Sequence, residues 1–261
     1  MQIDISSDLR RKKMGLDSLD EFLKKFYTDR GKDKTLIDLH LHTNYSDGFI
    51  SGKSLLHYLE DKNYLIAVTD HNAIGGNILL RKLGINVIPG IELGCCDGFE
   101  LLVYFASEDD MVYFYKGYVE PNKNKIRMAK TTKDIEYYLT ALKNFECYKS
   151  IPHIAGVAQK NFIKNKDYIY NVIGRVDAIE IHNHALPSSR NLIAEDIQKK
   201  YNLGITFGSD SHFMDEVKSF YNYINEIKAK KSIAEDYFQK VKLLGGLGQK
   251  HLVYGLKGLE K

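Results

Sequence analysis

The sequence predicts an α/β fold, a barrel of seven strands surrounded by helices. Short, continuously apolar segments alternate with segments of helical periodicity over residues 35–212. Apolar strands that alternate with helices are typical of a parallel sheet covered on its outer face, and seven such units indicate a closed barrel. Most of the apolar segments end near a histidine or an acidic residue. Functional side chains gather at strand ends in barrels of this kind, so we expect a site there.

Length and composition set limits on the class of protein. The chain has 261 residues, of which 44% are hydrophobic, and this suffices for one sizeable core. A formal net charge of +3 does not require a polyanionic partner. No apolar run approaches the roughly 18 residues of a membrane span. Cys95, Cys96 and Cys147 are too few for a disulfide framework, so we predict a cytoplasmic protein. No pattern predicts an oligomeric state.

These patterns divide the chain into three parts. Residues 1–34 are predicted to form an amphipathic helix, because Leu19, Phe22, Leu23 and Phe26 recur at helical spacing. Residues 35–212 form the barrel, with a mostly helical insertion at about 107–149. Residues 213–261 are predicted to be a helical extension packed on the barrel.

The first strand ends in two histidines. Residues two apart on a strand share a face, so we expect His40 and His42 to point one way and Leu39 and Leu41 to point the other. Asp47 follows in a turn and supplies a carboxylate within reach. Two adjacent imidazoles and a carboxylate indicate a metal site, although an isolated pair of this kind can also arise by chance.

Later strands supply the further ligand-type residues that this hypothesis needs. We predict strands at 65–68, 85–92, 99–106, 150–153, 177–182 and 204–212. The residues near their ends that can bind a metal are His71, Glu92, Glu100, His153, Asp210 and His212.

With those residues assembled, the sequence resembles the PHP family, the polymerase and histidinol phosphatase superfamily of metal-dependent phosphoesterases. The resemblance covers residues 36–212 and implies a distorted seven-stranded (β/α)7 barrel. The matching motifs are His40-Leu41-His42 with Ser46-Asp47-Gly48, Thr69-Asp70-His71, Pro89-Gly90-Ile91-Glu92 and Gly208-Ser209-Asp210-Ser211-His212.

The resemblance implies two or three divalent ions, of Zn, Mn or Fe, held at the barrel mouth. Glu100 stands where many relatives have a histidine of the second site, and its added negative charge favours harder cations. The implied sets are His40, His42, Glu92 and Asp210 for the first ion, Glu92, Glu100 and His153 for the second, and Asp47, His71 and His212 for the third.

The implied activity is hydrolysis of a phosphate ester by a metal-activated hydroxide. Asp210 and His212 are the predicted catalytic residues, and either His212 or a water would protonate the leaving group. The predicted substrate is a phosphorylated small molecule or a nucleotide, with an oligonucleotide as a further possibility.

Substrate contacts are predicted at two places. Lys125 and Arg127 lie in a cationic stretch of the insertion and are the preferred phosphate ligands, followed by Arg190, although a solvated helix face is the simpler interpretation. His182 and Asn183 follow strand six, where they either reach substrate or pack in the fold.

Three other functions remain open from the sequence alone. A histidinol-phosphate phosphatase has a similar size, and a related barrel can hydrolyse amides. A non-catalytic, metal-stabilised binding module is the third alternative. Because such modules usually lose ligands and this chain retains its own, the sequence favours catalysis.

Overall fold

The computed structural model describes residues 19, 21–26, 36–156 and 171–226 of the chain. Its seven strands form one sheet whose spatial order is the order of the chain. The strands are β1 Leu36–Leu41, β2 Tyr64–Val68, β3 Val87–Gly94, β4 Glu100–Phe105, β5 Cys147–Ile151, β6 Ala178–Asn183 and β7 Gly204–Gly208.

The sheet curls until the end of β7 meets β1. The Asp210 amide donates to the His40 carbonyl at 2.8 Å, and the His42 amide donates to the Ser211 carbonyl at 2.9 Å. These bonds pair the backbone groups of β1 and of the residues after β7, the two edges of the sheet. We call this end of the barrel the mouth. The prediction of a distorted seven-stranded barrel is confirmed.

The expectation of an all-parallel sheet is wrong for β4, which pairs antiparallel with both β3 and β5. Only residues 95–99 separate β3 from β4. A parallel connection needs a crossover of a dozen or more residues, so this short link must turn the chain back as a hairpin. The start of β4, rather than its end, therefore lies at the mouth, and Glu100 lies there with it.

Register shifts interrupt two strands close to the mouth. In β1 the shift falls between Asp38 and Leu41, and in β6 it falls between Glu180 and His182. Leu39 consequently packs in the cluster that fills the barrel, whereas Leu41 packs outside under the helices. The expectation that both leucines face the same way is wrong, because a bulge reverses the alternation of side chains beyond it.

Helices cover the outer face of the barrel. No helix in the described part of the chain is both long and apolar enough to cross a membrane. The helices are α1 Gly52–Leu59, α2 Gly75–Lys82, α3 Glu108–Phe114, α4 Ile135–Ala141, α5 Ser188–Tyr201 and α6 Met214–Glu226.

The insertion contains α3, α4 and an irregular connection between them. A π-helical turn, Tyr115–Val119, and a 3-10 turn, Glu120–Asn122, continue α3. The connection then forms a loop that is closed by a bridge between Lys123 and Thr131. We call residues 123–131 the insertion loop.

The end opposite the mouth is closed by the described part of the predicted N-terminal helix. Leu19, Phe22 and Leu23 are buried in the cluster that fills the barrel. The ring of Phe22 stacks on Tyr148, near the start of β5, at 5.6 Å. The rest of residues 1–34, and the predicted extension beyond Glu226, lie outside the described residues.

Candidate metal centre

Four of the predicted ligands converge on one point at the mouth. His40 Nε2 lies 3.1 Å from His42 Nε2, 3.4 Å from Glu92 Oε2 and 3.6 Å from Asp210 Oδ1. His42 Nε2 lies 3.2 Å from Glu92 Oε2 and 3.5 Å from Asp210 Oδ1. Atoms that bind one cation at about 2.1 Å in tetrahedral geometry lie about 3.4 Å apart. The spacing of these four atoms therefore suits a single divalent ion.

Glu92 joins this quartet to further histidines. Its Oε1 lies 3.1 Å from His153 Nε2, and its Oε2 lies 3.2 Å from His71 Nδ1. Glu100 Oε2 lies 3.9 Å from His153 Nε2. The structure thus brings Glu92, Glu100 and His153 together, as the resemblance implies for a second ion, and adds His71 to them.

Asp47 and His212 meet on the other side of His42. His212 Nε2 lies 2.8 Å from Asp47 Oδ2, and the His212 ring stacks on His42 with the ring centres 4.3 Å apart. Asp47 also groups with His42 and His71, their ligand atoms lying within 4.8 Å of one another. His71 therefore lies between the second and third implied sets instead of belonging to one.

Overlapping groups of this kind contain every predicted metal ligand. Among the described residues they contain no other side chain. We call these nine residues the mouth cluster: His40, His42, Asp47, His71, Glu92, Glu100, His153, Asp210 and His212.

The donor atoms of the mouth cluster fit divalent metal ions. His42 Nδ1, Asp47 Oδ1, Glu92 Oε2 and Glu100 Oε2 are buried and form no hydrogen bond within the described part of the chain. A buried polar atom without a partner is costly, and a bound cation removes that cost. The cluster offers imidazole nitrogen and carboxylate oxygen without thiolate, a combination that suits Zn, Mn or Fe.

Comparison with known proteins finds one relative in sequence and two similar solved structures. No protein-family model matches the chain. An uncharacterised protein of Methanocaldococcus jannaschii is 25% identical over 197 residues, which cover 75% of this chain and 73% of that protein.

Two solved structures share the architecture. A predicted metal-dependent phosphoesterase of Bifidobacterium adolescentis matches 73% of this chain and 96% of its own, with a TM-score of 0.53 and 13% identity. The lesion-specific endonuclease Q of Pyrococcus furiosus matches 68% of this chain and 48% of its own, with a TM-score of 0.54 and 16% identity. At these identities the likeness establishes the fold.

The chain has the distorted seven-stranded barrel fold of these two proteins.

Burial and neighbouring charge act in opposite directions on the histidines of this barrel. Burial alone would lower the pKa of His42, but its interactions with Asp210, Glu92 and Asp47 outweigh burial and raise the pKa to about 10. Burial would likewise lower the pKa of His40, whereas the charges of Glu180, Asp210 and Glu92 hold it well above its usual value. Without a bound metal, these carboxylates therefore favour the protonated form of the imidazoles.

Metal binding is accordingly expected to release protons. A histidine must be neutral to bind a metal, so the ion displaces the extra proton of His42. The apparent affinity for the metal therefore rises as the pH increases from 6 towards about 10. Calorimetric titration with Zn²⁺ at one pH, in two buffers with different ionisation enthalpies, measures this release. Equal heats in both buffers would contradict the assignment.

Glu180, for which no role was predicted, holds His40, His153 and the neighbouring Asn183 in place. Its Oε1 accepts from His40 Nδ1 at 2.8 Å, and its Oε2 accepts from the His153 amide at 2.8 Å and from Asn183 Nδ2 at 3.0 Å. A carboxylate bonded to the far nitrogen of a metal-binding histidine fixes the ring and its tautomer. The signal in the sequence was a charged residue within the apolar strand Ala178–Asn183.

Replacing Glu180 by glutamine is expected to weaken metal binding about 10- to 100-fold while the fold is retained. Glutamine has the same shape but loses the charge that supports His40. Competition with a chromogenic chelator measures the affinity. Glu60→Gln is the control, because Glu60 is exposed directly after α1 and forms its ion pair only with His57 among its described partners. Equal affinities for the two variants would contradict the role given to Glu180.

Two other buried acids hold the loops that present the ligands. Asp38 accepts from the Ser209 amide at 2.8 Å and from its hydroxyl at 2.6 Å, next to Asp210. Asp70 accepts from the Ser46 hydroxyl at 2.6 Å, next to Asp47, and from the Thr43 amide at 2.7 Å. Burial raises the pKa of Asp38 to about 6, although its bonds to Ser209 oppose the shift.

The backbone is strained at two residues of the cluster. His153 and Asp210 have φ values of 31° and 51°, in the left-handed region that residues other than glycine seldom occupy. Such strain persists where the surrounding structure holds it, and it occurs often at functional sites. Both residues lie two positions after the end of a strand, and the unusual backbone turns their side chains into the mouth.

The two residues of β6 that were predicted to contact substrate lie on opposite sides of the sheet. Asn183 faces the mouth and donates to Asp210 Oδ2 at 3.2 Å. The ring of His182 instead stacks on Tyr223 of α6 at 4.8 Å, outside the barrel. His182 therefore lies away from the mouth, because the register shift after Glu180 turns Asn183 inward in its place.

The cationic candidates lie at the rim of the mouth, outside the cluster. Thr131 donates to the Gly94 carbonyl at 2.7 Å, and Asn72 donates to the Met128 carbonyl at 3.0 Å, so the insertion loop packs beside His71 and Glu92. A Cβ at Gly94 would lie 1.7 Å from the Ala129 oxygen, so this contact requires glycine. Lys125 and Arg127 are exposed on the loop, and Arg190 is half-buried in the first turn of α5.

Proposed function

We propose that the chain is a metal-dependent phosphoesterase that hydrolyses a small phosphomonoester or the phosphate of a nucleotide. The observation that supports this most is the mouth cluster itself, in which nine imidazole and carboxylate side chains converge and several buried donor atoms form no hydrogen bond within the described part of the chain. The likeness to a predicted phosphoesterase and to an endonuclease that cleaves DNA at lesions is consistent with the same chemistry.

The position of each residue indicates its role in this proposed reaction. Divalent ions held by the cluster would activate a water for attack and neutralise charge on the phosphoryl group. Glu92, which contacts four histidines, would link the first and second ions. Asn183 and Glu180 keep Asp210 and His40 in position. The chain therefore needs no serine or cysteine nucleophile.

His212 presents one nitrogen, Nε2, to the mouth cluster. Its Nδ1 lies 2.9 Å from the Asp210 carbonyl oxygen, which only accepts, so Nδ1 holds the hydrogen. Nε2 then faces Asp47 and either binds a metal or donates a proton, because one nitrogen cannot do both at once. In a complex with the third implied ion, protonation of the leaving group falls to water.

The substrate panel that tests the proposal contains phosphomonoesters, nucleotides, oligonucleotides and a set of amides. Release of inorganic phosphate or of a cleaved strand, dependent on added Zn²⁺ or Mn²⁺, is the expected result. Histidinol phosphate belongs in the panel, because selective hydrolysis of it would identify the alternative phosphatase. Release of an amine without phosphate would overturn the proposal in favour of amide hydrolysis.

Arg127→Ala is expected to raise the KM for an oligonucleotide about tenfold and to reduce the dependence of binding on salt. Each phosphate contact on a single strand contributes a slope of about 0.7 in log affinity against log salt. Lys143→Ala is the control, since Lys143 is exposed at the far end of the insertion. An unchanged slope of log affinity against log salt in Arg127→Ala would show that the insertion loop does not contact the oligonucleotide backbone.

A further inference from the structure

A cavity of about 390 Å³ is lined in part by residues that are close in sequence to the mouth cluster. Its walls come from the loop after β1, from the start of α2 and from the insertion. This volume lies in the lower part of the range of about 300–1,000 Å³ that small-molecule sites occupy. The lining side chains that matter here are Tyr45, Ile74, Tyr115, Lys116 and Lys123.

Two of the lining residues are close in sequence to predicted metal ligands. Tyr45 precedes Asp47 by two residues, and Ile74 follows His71 by three. Asp47 and His71 belong to one group whose ligand atoms lie within 4.8 Å of one another. A molecule whose phosphate lies at the cluster can therefore place its remaining part in the cavity.

The aromatic wall is held in position before any ligand binds. A Cβ at Gly75 would lie 2.1 Å from Tyr45 Cδ1, so the tyrosine ring lies directly on the glycine. The Tyr45 amide donates to Thr43 Oγ1 at 3.3 Å, and Asp70 anchors Thr43. The side chain is nevertheless 46% exposed, which leaves aromatic surface available for stacking.

The rest of the lining suits a planar group that is rich in hydrogen-bond acceptors. Ile74 is buried and apolar, and Tyr115 is half-buried on the π-helical turn. Lys116 and Lys123 add positive charge on the insertion side, and Lys116 is exposed. Nucleobases combine a stacking face with carbonyl and ring-nitrogen acceptors, and stacking on aromatic side chains tolerates any base.

We propose that this cavity binds the base of a nucleotide whose phosphate lies at the mouth cluster. The inference rests on the proposed function and narrows it from phosphomonoesters in general to nucleotides. Tyr45 supplies the stacking face, and Lys116 and Lys123 supply donors to the base.

Binding of a fluorescent nucleoside tests the cavity separately from hydrolysis. The chain has no tryptophan, so 2-aminopurine riboside can be observed without interference, and it has no phosphate to be removed. Quenching of its fluorescence by the full-length, metal-loaded protein should saturate. Tyr45→Ala should weaken this binding at least about tenfold, because an aromatic stack is lost, whereas Tyr45→Phe should retain it.

Tyr113→Ala is the matched control, since Tyr113 is 71% exposed on α3 and does not line the cavity. Its affinity should equal that of the wild type. Quenching that does not saturate, or that Tyr45→Ala leaves unchanged, would overturn the cavity assignment.

The two proposals fail in different ways. Binding that depends on Tyr45, without phosphate release from any substrate, would retain the base site and refute the phosphoesterase. Equal kcat/KM for ribose 5-phosphate and adenosine 5′-monophosphate, without nucleoside binding, would refute the base site and retain the phosphoesterase.

Discussion

Replacing Glu92 by glutamine is expected to lower kcat/KM on the order of a thousandfold, because a metal cluster contributes several kcal/mol of transition-state stabilisation. Glu92 is fully buried at the end of β3 and contacts His40, His42, His71 and His153. Burial would raise its pKa, but these histidines outweigh burial and hold the pKa well below its usual range. The carboxylate is therefore ionised and available to two ions.

Glutamine keeps the volume of Glu92 but removes the charge that links the two sets of ligands. Steady-state kinetics on the best substrate of the panel, with metal content measured on the same sample, tests the prediction. Circular dichroism checks that the variant is folded, and Glu60→Gln serves as the exposed control. Activity of Glu92→Gln within tenfold of the wild type would show that the cluster is not the catalytic centre.

Removing the metal is expected to lower the melting temperature by about 8–16 °C. A ligand at a thousand times its Kd stabilises the folded state by about 4.1 kcal/mol. Each kcal/mol shifts the melting temperature by about 2–4 °C in a domain of this size. Without metal, buried atoms such as Asp47 Oδ1 and Glu92 Oε2 lose the partner that the ion provides.

Thermal unfolding with and without a chelator, followed by restoration of Zn²⁺ or Mn²⁺, measures this effect. The Glu92→Gln variant is the internal control, because a protein that binds metal poorly should respond little to the chelator. An unchanged melting temperature in wild type, after elemental analysis shows that the metal has been removed, would contradict the cluster's role in stability.

The barrel and the side chains of the mouth cluster were predictable because both follow from local patterns. Short apolar strands alternate with helices, and a ligand-type residue stands near most strand ends. Closure of the barrel then brings distant residues such as His42 and His212 together without any further signal in the sequence. That step needs only the strand count and the order of the chain.

Glu100 and His182 show what local patterns do not reveal. Glu100 reaches the mouth only because the link of residues 95–99 turns β4 antiparallel. His182 leaves the mouth because one register shift in β6 reverses the side-chain alternation after Glu180. Such a shift depends on tertiary hydrogen bonding around Glu180, which strand periodicity does not encode.

Phosphate release by wild type and by Asp210→Asn, each loaded with metal and analysed for bound ions, tests the central claim most directly. Asp210 Oδ1 lies at the first candidate ion site, 3.5 Å from His42 Nε2. We expect bound metal and metal-dependent phosphate release in the wild type, and a rate of release at least about 100-fold lower in the variant. Bound metal without release from any substrate, in wild type and variant alike, would contradict it and indicate a metal-stabilised binding module.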